Sequence, residues 1–319
     1  MEEVKKSHLN PRRKSKSKLK KKCFLSEEMR MQSEVNSEDV TRVIMITYFR
    51  SGSTFLGDLL QQKQLSFYSF EPLRYLTRSS RITKSSVNES LNVIDKILNC
   101  EFESIIPYVV KTKKLGFFKA KIYKDICGTK KVNVELLTEV CKRCKLNVIK
   151  LTRLNFSHAA TYLKSTKYSN VKLLHLVRDP RAIYNSRKSF QWCRNSDCIN
   201  VQHLCAEMLD DFKASQALMK KFPDQVYRLR HEHIATDMQS ETKKLFKFLG
   251  IEYTSEIDDF INSHRDVPGN IKPNKYSTVR NSKYTTIKWK EQLTKRKIEE
   301  IEYYCKDVIQ ALNYTFVMQ

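Results

Sequence analysis

The sequence contains no run of eighteen consecutive apolar residues, which is about the length that a membrane-spanning helix requires. Nothing in it resembles the apolar region of a signal peptide either. Taken as it stands, the chain of 319 residues predicts a soluble protein that is long enough to bury one full core. We expect a basic, disordered tail over residues 1–40 and one folded domain over residues 41–319.

The sequence also lacks GxxxxGK[ST], the phosphate-binding loop of many ATPases and nucleotide kinases. This absence disfavours a Mg²⁺-dependent phosphotransferase. Cys141 and Cys144 form one CxxC pair, but no second pair and no HxxxH stands at the spacing of zinc ligands. We therefore expect no metal site.

Acidic residues are few, because 35 Asp and Glu stand against 59 Lys and Arg, which leaves a net charge of +24. Residues 1–22 hold ten basic and two acidic residues, so +16 remains on the rest of the chain. A surface of this sign attracts anionic partners such as a nucleotide cofactor, acidic glycans or nucleic acid. The lysine-rich start is typical of a solvated tail, with a nuclear address as the alternative.

What the sequence does contain is a strand, a polar loop and a helix in close succession. The apolar run Val43–Ile46 predicts a strand buried on both faces, and helical spacing begins at Phe55. The N-terminus of such a helix aims backbone N–H groups and a positive dipole at one point, which suits a phosphate. Arg50 adds a positive charge there, and three hydroxyls add donors. The predicted phosphate-binding residues are Arg50, Ser51, Gly52, Ser53, Thr54 and Phe55. A serine-capped turn without a ligand is the alternative.

A second strand-to-helix junction also ends in polar residues. Val171–Val177 predicts another buried strand, after which Asp179 and Pro180 are a typical N-cap and first helical residue. Arg178 therefore emerges at the carboxyl edge of the sheet, and Ser186 lies two helical turns later on the same side of the helix. Their guanidinium and hydroxyl groups predict a second anion site, with charges that only add solubility as the alternative.

Glu71 follows a third predicted strand, Ser66–Phe70, in extended geometry imposed by Pro72. Ligands of parallel sheets bind beyond the carboxyl ends of the strands, so Glu71 is expected near the first loop. A turn carboxylate paired with Arg74 or Arg78 is the alternative.

Five further polar positions complete the candidates. Lys150 and Arg153 end a predicted strand, where they either approach a ligand or form a solvated pair. His175 lies inside a strand and is interpreted as a core histidine. His231 and His233 flank Glu232 in a predicted strand, and the three together could suggest a metal site. Adjacent residues of a strand point to opposite faces of the sheet, so Glu232 would face away from both histidines, and we interpret the histidines as structural.

The segment TYFRSGSTFL resembles the 5′-phosphosulfate-binding loop of sulfotransferases, and its arginine form is similar to the 6-O-sulfotransferases of galactose, N-acetylglucosamine and N-acetylgalactosamine. VRDPRAIYNS resembles the 3′-phosphate-binding motif of the same family, including its Arg-to-Ser spacing. The resemblance covers most of residues 42–315. It implies the sulfotransferase fold, an α/β architecture with a P-loop-like central parallel sheet flanked by helices.

The resemblance implies transfer of the sulfuryl group of 3′-phosphoadenosine 5′-phosphosulfate to a sugar hydroxyl, the 6-OH, of a glycan or proteoglycan, without nucleic acid as a partner. Glu71 is the implied general base, and Arg50 stabilises the leaving phosphate. YSTVRNSKYTTIKWKEQL resembles the segment that closes over the cofactor. Within it, Arg280 and Ser282 are candidates for the 3′-phosphate or adenine side, and Trp289 for packing. A catalytically silent, basic glycan- or nucleic-acid-binding protein on the same fold is the alternative.

The family also implies the Golgi lumen, with membrane attachment through an anchor that this sequence does not show. Three Asn-x-Ser/Thr acceptors, at Asn88, Asn155 and Asn313, agree with a glycoprotein of the lumen. Nine cysteines are many for a reducing compartment. The spacing of Cys193 and Cys198 allows a disulfide, with buried free thiols as the alternative.

Overall fold

Five parallel strands form one sheet at the centre of the chain in a computed structural model. The structure describes residues 25, 27–62, 65–77, 81–114, 121–122, 134–165, 167–168, 170–194, 196–265, 278–279 and 281–317. The strands run in the spatial order β2-β3-β1-β4-β5, and they are β1 (Thr41–Ile46), β2 (Ser66–Phe70), β3 (Leu146–Leu151), β4 (Val171–Val177) and β5 (Val226–Arg230). This arrangement confirms the predicted fold class.

Helices cover both faces of this sheet. In chain order, the α-helices of the described residues are α1 (Glu27–Met31), α2 (Ser53–Leu60), α3 (Val87–Leu98), α4 (Ile106–Lys114), α5 (Val134–Lys142), α6 (Phe156–Ala159), α7 (Pro180–Arg187), α8 (Gln191–Arg194), α9 (Val201–Lys221), α10 (His231–Thr236), α11 (Met238–Leu249), α12 (Ser255–Arg265), α13 (Ser282–Gln292), α14 (Lys295–Tyr304) and α15 (Lys306–Ala311). Short 3₁₀ turns lie at Ser37–Asp39, Pro72–Tyr75, Lys84–Ser86, Phe102–Ile105, Ala160–Lys164 and Asp197–Ile199.

The apolar runs form strands because both faces of the sheet are covered. In β1, Ile44 and Ile46 pack into the core on one face, and Val43 and Met45 pack into the core on the other. The chain moves to one side of β1 for β2 and β3 and to the other side for β4 and β5. Such a change in strand order marks the place where parallel sheets bind ligands, so the loop after β1 occupies the favoured position.

Part of the expected tail is folded. Helix α1 lies within residues 27–40, and Leu25 and Met29 are buried in the same core cluster as Ile44. The Val35 N–H donates to the Lys142 carbonyl at 3.0 Å. Apolar side chains between the charges of this stretch thus bring residues up to β1 into the packed structure.

Three disulfides join the described cysteines. Cys193–Cys198 confirms the predicted bond, and Cys100–Cys141 and Cys205–Cys305 accompany it. Cys144 is a buried free thiol, and burial raises its pKa to about 12. The CxxC pair is therefore divided between a disulfide and a protonated thiol.

The C-terminal part of the chain forms two helices, α14 and α15, which meet at the disulfide-bonded Cys305. Of the helices in the described part of the chain, none combines the length and apolar composition that crossing a membrane requires.

Candidate active site

The loop between β1 and α2 has an unusual backbone. Gly52, the residue before α2, has φ of 92°, and Arg50 has φ of 72°. A Cβ atom on Gly52 would stand 2.4 Å from Nδ1 of His231. Only glycine fits this position, because both the left-handed backbone and the imidazole exclude a side chain. The loop is thereby pressed against the start of α10.

The hydroxyls of this loop do not share one role. Ser51 is fully buried, and its Oγ donates to the Tyr48 carbonyl at 2.8 Å and contacts the Thr47 hydroxyl. It therefore fixes the shape of the loop, which differs from the expectation that all three hydroxyls face a ligand. Ser53 and Thr54 are the first residues of α2, whose N–H groups have no carbonyl partner within their own helix. Phe55 packs against Phe260, with 5.7 Å between ring centroids.

The two predicted anion-binding motifs lie together. Arg50 Nε donates to Ser186 Oγ at 3.1 Å, and Arg178 donates to the Arg50 carbonyl at 2.9 Å. The Arg50 guanidinium also stacks on the Phe190 ring at 4.5 Å. Asp179 caps α7, as predicted, by accepting from the Arg181 N–H at 2.8 Å. Two guanidinium groups and two helix N-termini thus meet at the carboxyl ends of β1 and β4, where an anion would be stabilised.

Thr285 and His231 also lie in this region, although neither was predicted as a site residue. Arg178 donates to the Thr285 carbonyl at 2.8 Å, and His231 Nε2 lies 3.5 Å from Thr285 Oγ1. Burial, together with the charge of Arg178, holds the pKa of His231 well below its usual value, so the imidazole is neutral. The position of His231 follows from the strand pairing. Val177 pairs with Arg230, so the residues that follow them, Arg178 and His231, reach the same edge of the sheet.

The strand that we predicted to contain His231 and His233 ends one residue before His231. β5 stops at Arg230, and His231, Glu232 and His233 form the first turn of α10. Glu232 and the histidines therefore do not alternate across a strand. His231 lies against the loop after β1, while Glu232 accepts from the Asp179 N–H at 3.0 Å.

The segment that resembles a cofactor lid is mainly helix α13. Ser282 is its first residue, and Asn281 caps it by accepting from the Tyr284 N–H at 3.0 Å. Arg280 lies outside the described residues. Trp289 is buried, with the Arg181 guanidinium 4.2 Å from its ring, which agrees with its predicted packing role.

Glu71 lies on the other side of β1, at the end of β2. Its carboxylate contacts Lys150 Nζ at 2.7 Å, Arg153 at 2.6 Å and the Thr152 hydroxyl at 2.8 Å. All four residues are buried, so the alternative of a solvated Lys150 and Arg153 pair is wrong. Glu71 has φ of 53° and not the predicted extended geometry. Its N–H donates to the Lys150 carbonyl at 3.0 Å, which continues the β2–β3 ladder before the chain turns.

The charge state of Glu71 follows from these contacts. Burial alone would raise the pKa of Glu71, but Lys150 and Arg153 outweigh it and hold the pKa below its usual value. The group is therefore a carboxylate at neutral pH. It is able to accept a proton, although its affinity for one is reduced.

His175 is a core residue, as predicted. It is fully buried, its Nε2 lies 3.1 Å from the Tyr48 hydroxyl, and its Nδ1 lies 2.9 Å from Ser215 Oγ. Burial lowers the pKa of His175 to about 3. In the part of the chain that the structure describes, no three His, Cys, Asp or Glu side chains gather as a metal site would require.

Comparisons with known proteins identify the family and the fold of the chain. The family described as "Sulfotransferase domain" matches residues 40–313. Carbohydrate sulfotransferase 1 of Danio rerio is 24% identical over 88% of this chain and 80% of its own length. Carbohydrate sulfotransferase 5 of Homo sapiens is also 24% identical, over 88% of this chain and 79% of its own. The solved sulfotransferase domain from the Synechococcus PCC 7002 olefin synthase has the same fold, with a TM-score of 0.50 and 14% identity over 89% of this chain and 98% of that domain.

Proposed function

Because the chain belongs to the sulfotransferase domain family, we propose that it transfers a sulfuryl group from 3′-phosphoadenosine 5′-phosphosulfate to a hydroxyl of a glycan. The observation that supports this most directly is the meeting of Arg50, Arg178 and Ser186 beside the loop that leads into α2. The relatives named carbohydrate sulfotransferases support the glycan as acceptor.

In this proposal, the loop after β1 binds the 5′-phosphosulfate end of the cosubstrate. Arg50 and the N–H groups of Ser53, Thr54 and Phe55 are its donors, and Gly52 lets the backbone turn toward it. Arg178 and Ser186 bind the 3′-phosphate, with help from Ser282 on α13 and from Arg280. The distance from Arg50 Nε to Ser186 Oγ, 3.1 Å, supports one continuous anion site rather than two separate ones.

The reaction that this arrangement suits is an in-line displacement at sulfur. The acceptor oxygen forms a bond to sulfur while the bond from sulfur to the 5′-phosphate oxygen breaks. Glu71 takes the hydroxyl proton, and Arg50 with the loop N–H groups stabilises the charge that develops on the leaving phosphate. Positioning and electrostatics supply the catalysis, and the mechanism needs no metal.

The acceptor in this proposal is the 6-OH of galactose, N-acetylglucosamine or N-acetylgalactosamine. The similarity of the Arg50 loop to that group of enzymes supports it. The net charge of +24 supports a glycan or proteoglycan chain that also carries negative charges away from the reacting sugar.

We place the protein in the Golgi lumen. Three disulfides support an oxidising compartment. Asn88 and Asn313 are exposed and accessible to a glycosyltransferase. Asn155 is half-buried and accepts from Arg81 at 3.1 Å, so it is the poorest of the three acceptors.

Calorimetric titration of the full chain with 3′-phosphoadenosine 5′-phosphate tests the proposal, with ADP as the control. We expect binding of the first compound at least tenfold tighter than binding of ADP, because Arg178 and Ser186 recognise the 3′-phosphate. Equal affinity for the two compounds would contradict the assigned cosubstrate. Absence of any binding would favour the catalytically silent glycan- or nucleic-acid-binding protein.

A further inference from the structure

A cavity of about 70 Å³ lies between the loop after β1 and the start of α9. Phe49, Thr152, Arg81 and Arg187 form part of its wall. Thr152 also contacts the Glu71 carboxylate through its hydroxyl, at 2.8 Å. The cavity therefore approaches the candidate base to within one residue.

The charges around the cavity are balanced. Among the described residues that line it, two are guanidinium groups, Arg81 and Arg187, and two are carboxylates, Asp197 and Glu207. Arg81 lies 3.3 Å from Glu207, while Arg187 donates to the carbonyls of Phe49 and Cys198. An anion would face the two carboxylates, and a cation would face the two guanidinium groups. Sugar hydroxyls both donate and accept, so a neutral sugar matches this wall.

An exposed tryptophan stands beside the cavity. Trp289 is buried, but Trp192 leaves 43% of its surface exposed, and its ring meets the edge of Phe49 at 5.6 Å. The Cys193–Cys198 disulfide closes the loop that follows it, and Cys198 itself lines the cavity. An indole held in this way offers an apolar face to the C–H face of a sugar ring.

We propose that this cavity and Trp192 form the acceptor subsite, which binds a neutral sugar residue, and that Glu207 determines this specificity. The inference rests on the proposed function and extends it. A volume of about 70 Å³ holds only a few water molecules, so one edge of the sugar ring enters. The rest of the ring lies across Trp192. Glu207 accepts a hydrogen bond from a hydroxyl, and its negative charge opposes an anionic substituent on the same sugar.

The test uses the full chain, 3′-phosphoadenosine 5′-phosphosulfate and three probes that all keep the 6-OH: p-nitrophenyl β-galactoside, β-N-acetylglucosaminide and the anionic β-galactoside 3-sulfate. We expect sulfation of a neutral glycoside with kcat/KM at least tenfold above that of the 3-sulfate. Glu207→Gln should raise KM for the neutral glycoside about tenfold, the effect of losing a hydrogen bond to a charged group. It should also raise the relative use of the 3-sulfate. A purely structural role for Glu207 would not shift this preference.

The chain offers matched controls for both residues. Glu139 has a similarly exposed side chain and also pairs with an arginine, Arg143, at 3.1 Å, so Glu139→Gln should change neither KM nor preference. Trp192→Ala should raise KM about tenfold, whereas Tyr304→Ala removes a similarly exposed ring on α14 and should not.

Three results would overturn the subsite: equal use of the galactoside 3-sulfate, an unchanged KM in both Glu207→Gln and Trp192→Ala, or no turnover of either neutral glycoside by a chain that binds 3′-phosphoadenosine 5′-phosphate. The first two would leave the proposed function intact, whereas the third would also contradict galactose and N-acetylglucosamine as its acceptors. A wild-type chain that does not bind this nucleotide would instead reject the function and the subsite together.

Discussion

The contacts described for the charged side chains differ between the two sides of β1. On the side of β4 and β5, the contacts described for Arg50 and Arg178 run to a hydroxyl and to main-chain carbonyls. These contacts position the two guanidinium groups at the carboxyl ends of β1 and β4. On the side of β2 and β3, Lys150 and Arg153 contact the carboxylate of Glu71.

This difference shows how one sheet edge serves two tasks. Guanidinium groups held at the carboxyl edge of the sheet attract a phosphate, which is what binding requires. A carboxylate held between two cations stays ionised in a buried place, which is what a base requires. The neutral His231 separates the two roles further, because it fills space beside Gly52 without adding charge.

Glu71→Gln tests the catalytic side and has the largest expected effect. Loss of the base should lower kcat by about 10²- to 10⁴-fold. The affinity for 3′-phosphoadenosine 5′-phosphate should stay nearly unchanged, because Arg50 and Arg178 keep their contacts. Steady-state kinetics and calorimetry on the same preparation measure both quantities, and Glu101→Gln, at an exposed pair with Lys96, is the control. Loss of nucleotide affinity in Glu71→Gln would refute the division of roles.

The pH dependence of the wild-type rate sharpens the same test. The folded pKa of Glu71 is depressed, so the carboxylate stays ionised above that value and is lost only as pH falls through it. The acidic fall in rate that belongs to Glu71 should therefore lie below the ordinary glutamate value of about 4.3. A fall centred near pH 6 that disappears in Glu71→Gln would contradict the described contacts.

Arg178→Ala tests the binding side. Loss of two charge-assisted hydrogen bonds to phosphate, at about 1.5 kcal/mol each, should weaken binding of 3′-phosphoadenosine 5′-phosphate roughly 100-fold. Arg143→Ala is the control, because Arg143 also donates to a main-chain carbonyl, that of Gln32, but precedes β3 and lies at the opposite edge of the sheet. Equal losses of affinity in the two variants would show that the charge of the whole surface, and not Arg178, binds the nucleotide.

Gly52→Ala has the smallest expected effect and tests the contact with His231. The added Cβ clashes with the imidazole, and the alanine must adopt φ near 92°. We therefore expect about tenfold weaker nucleotide binding. Gly250→Ala has the same kind of backbone, with φ of 68°, but nothing lies within 4 Å of its Cβ. It should cost about 1 kcal/mol in the free energy of unfolding and leave nucleotide affinity unchanged. Identical behaviour of the two variants in calorimetry and urea unfolding would mean that the His231 contact is unimportant.

The sequence was most informative where function and local structure coincide. The strands were predictable because unbroken apolar runs such as Val43–Ile46 require a sheet covered on both faces. Arg178 and Ser186 were predictable because one strand end and one helix determine both positions. No strand order is needed for either inference.

The cluster around Glu71 was beyond this reasoning. Glu71 meets Lys150 only because β2 pairs with β3, with Phe70 opposite Lys150, and an apolar pattern does not determine which strands are neighbours. Thr285 reaches Arg178 across 107 residues, through the packing of α13 against α7. His231 was misassigned because β5 ends one residue before it, and strand ends are weakly encoded.

The Cys205–Cys305 bond constrains the unfolded chain as well as the folded one. It closes a ring that spans 100 residues and contains both His231 and Thr285. While this bond is intact, an unfolded chain remains a closed loop, which by loop-entropy estimates favours the native state by about 4 to 5 kcal/mol. The two residues that meet beside Arg178 therefore lie in one closed loop, so fewer unfolded conformations separate them after heat or denaturant has dispersed the sheet. After denaturation, a chain that was oxidised before it unfolded should therefore recover nucleotide binding more completely than a chain that was reduced.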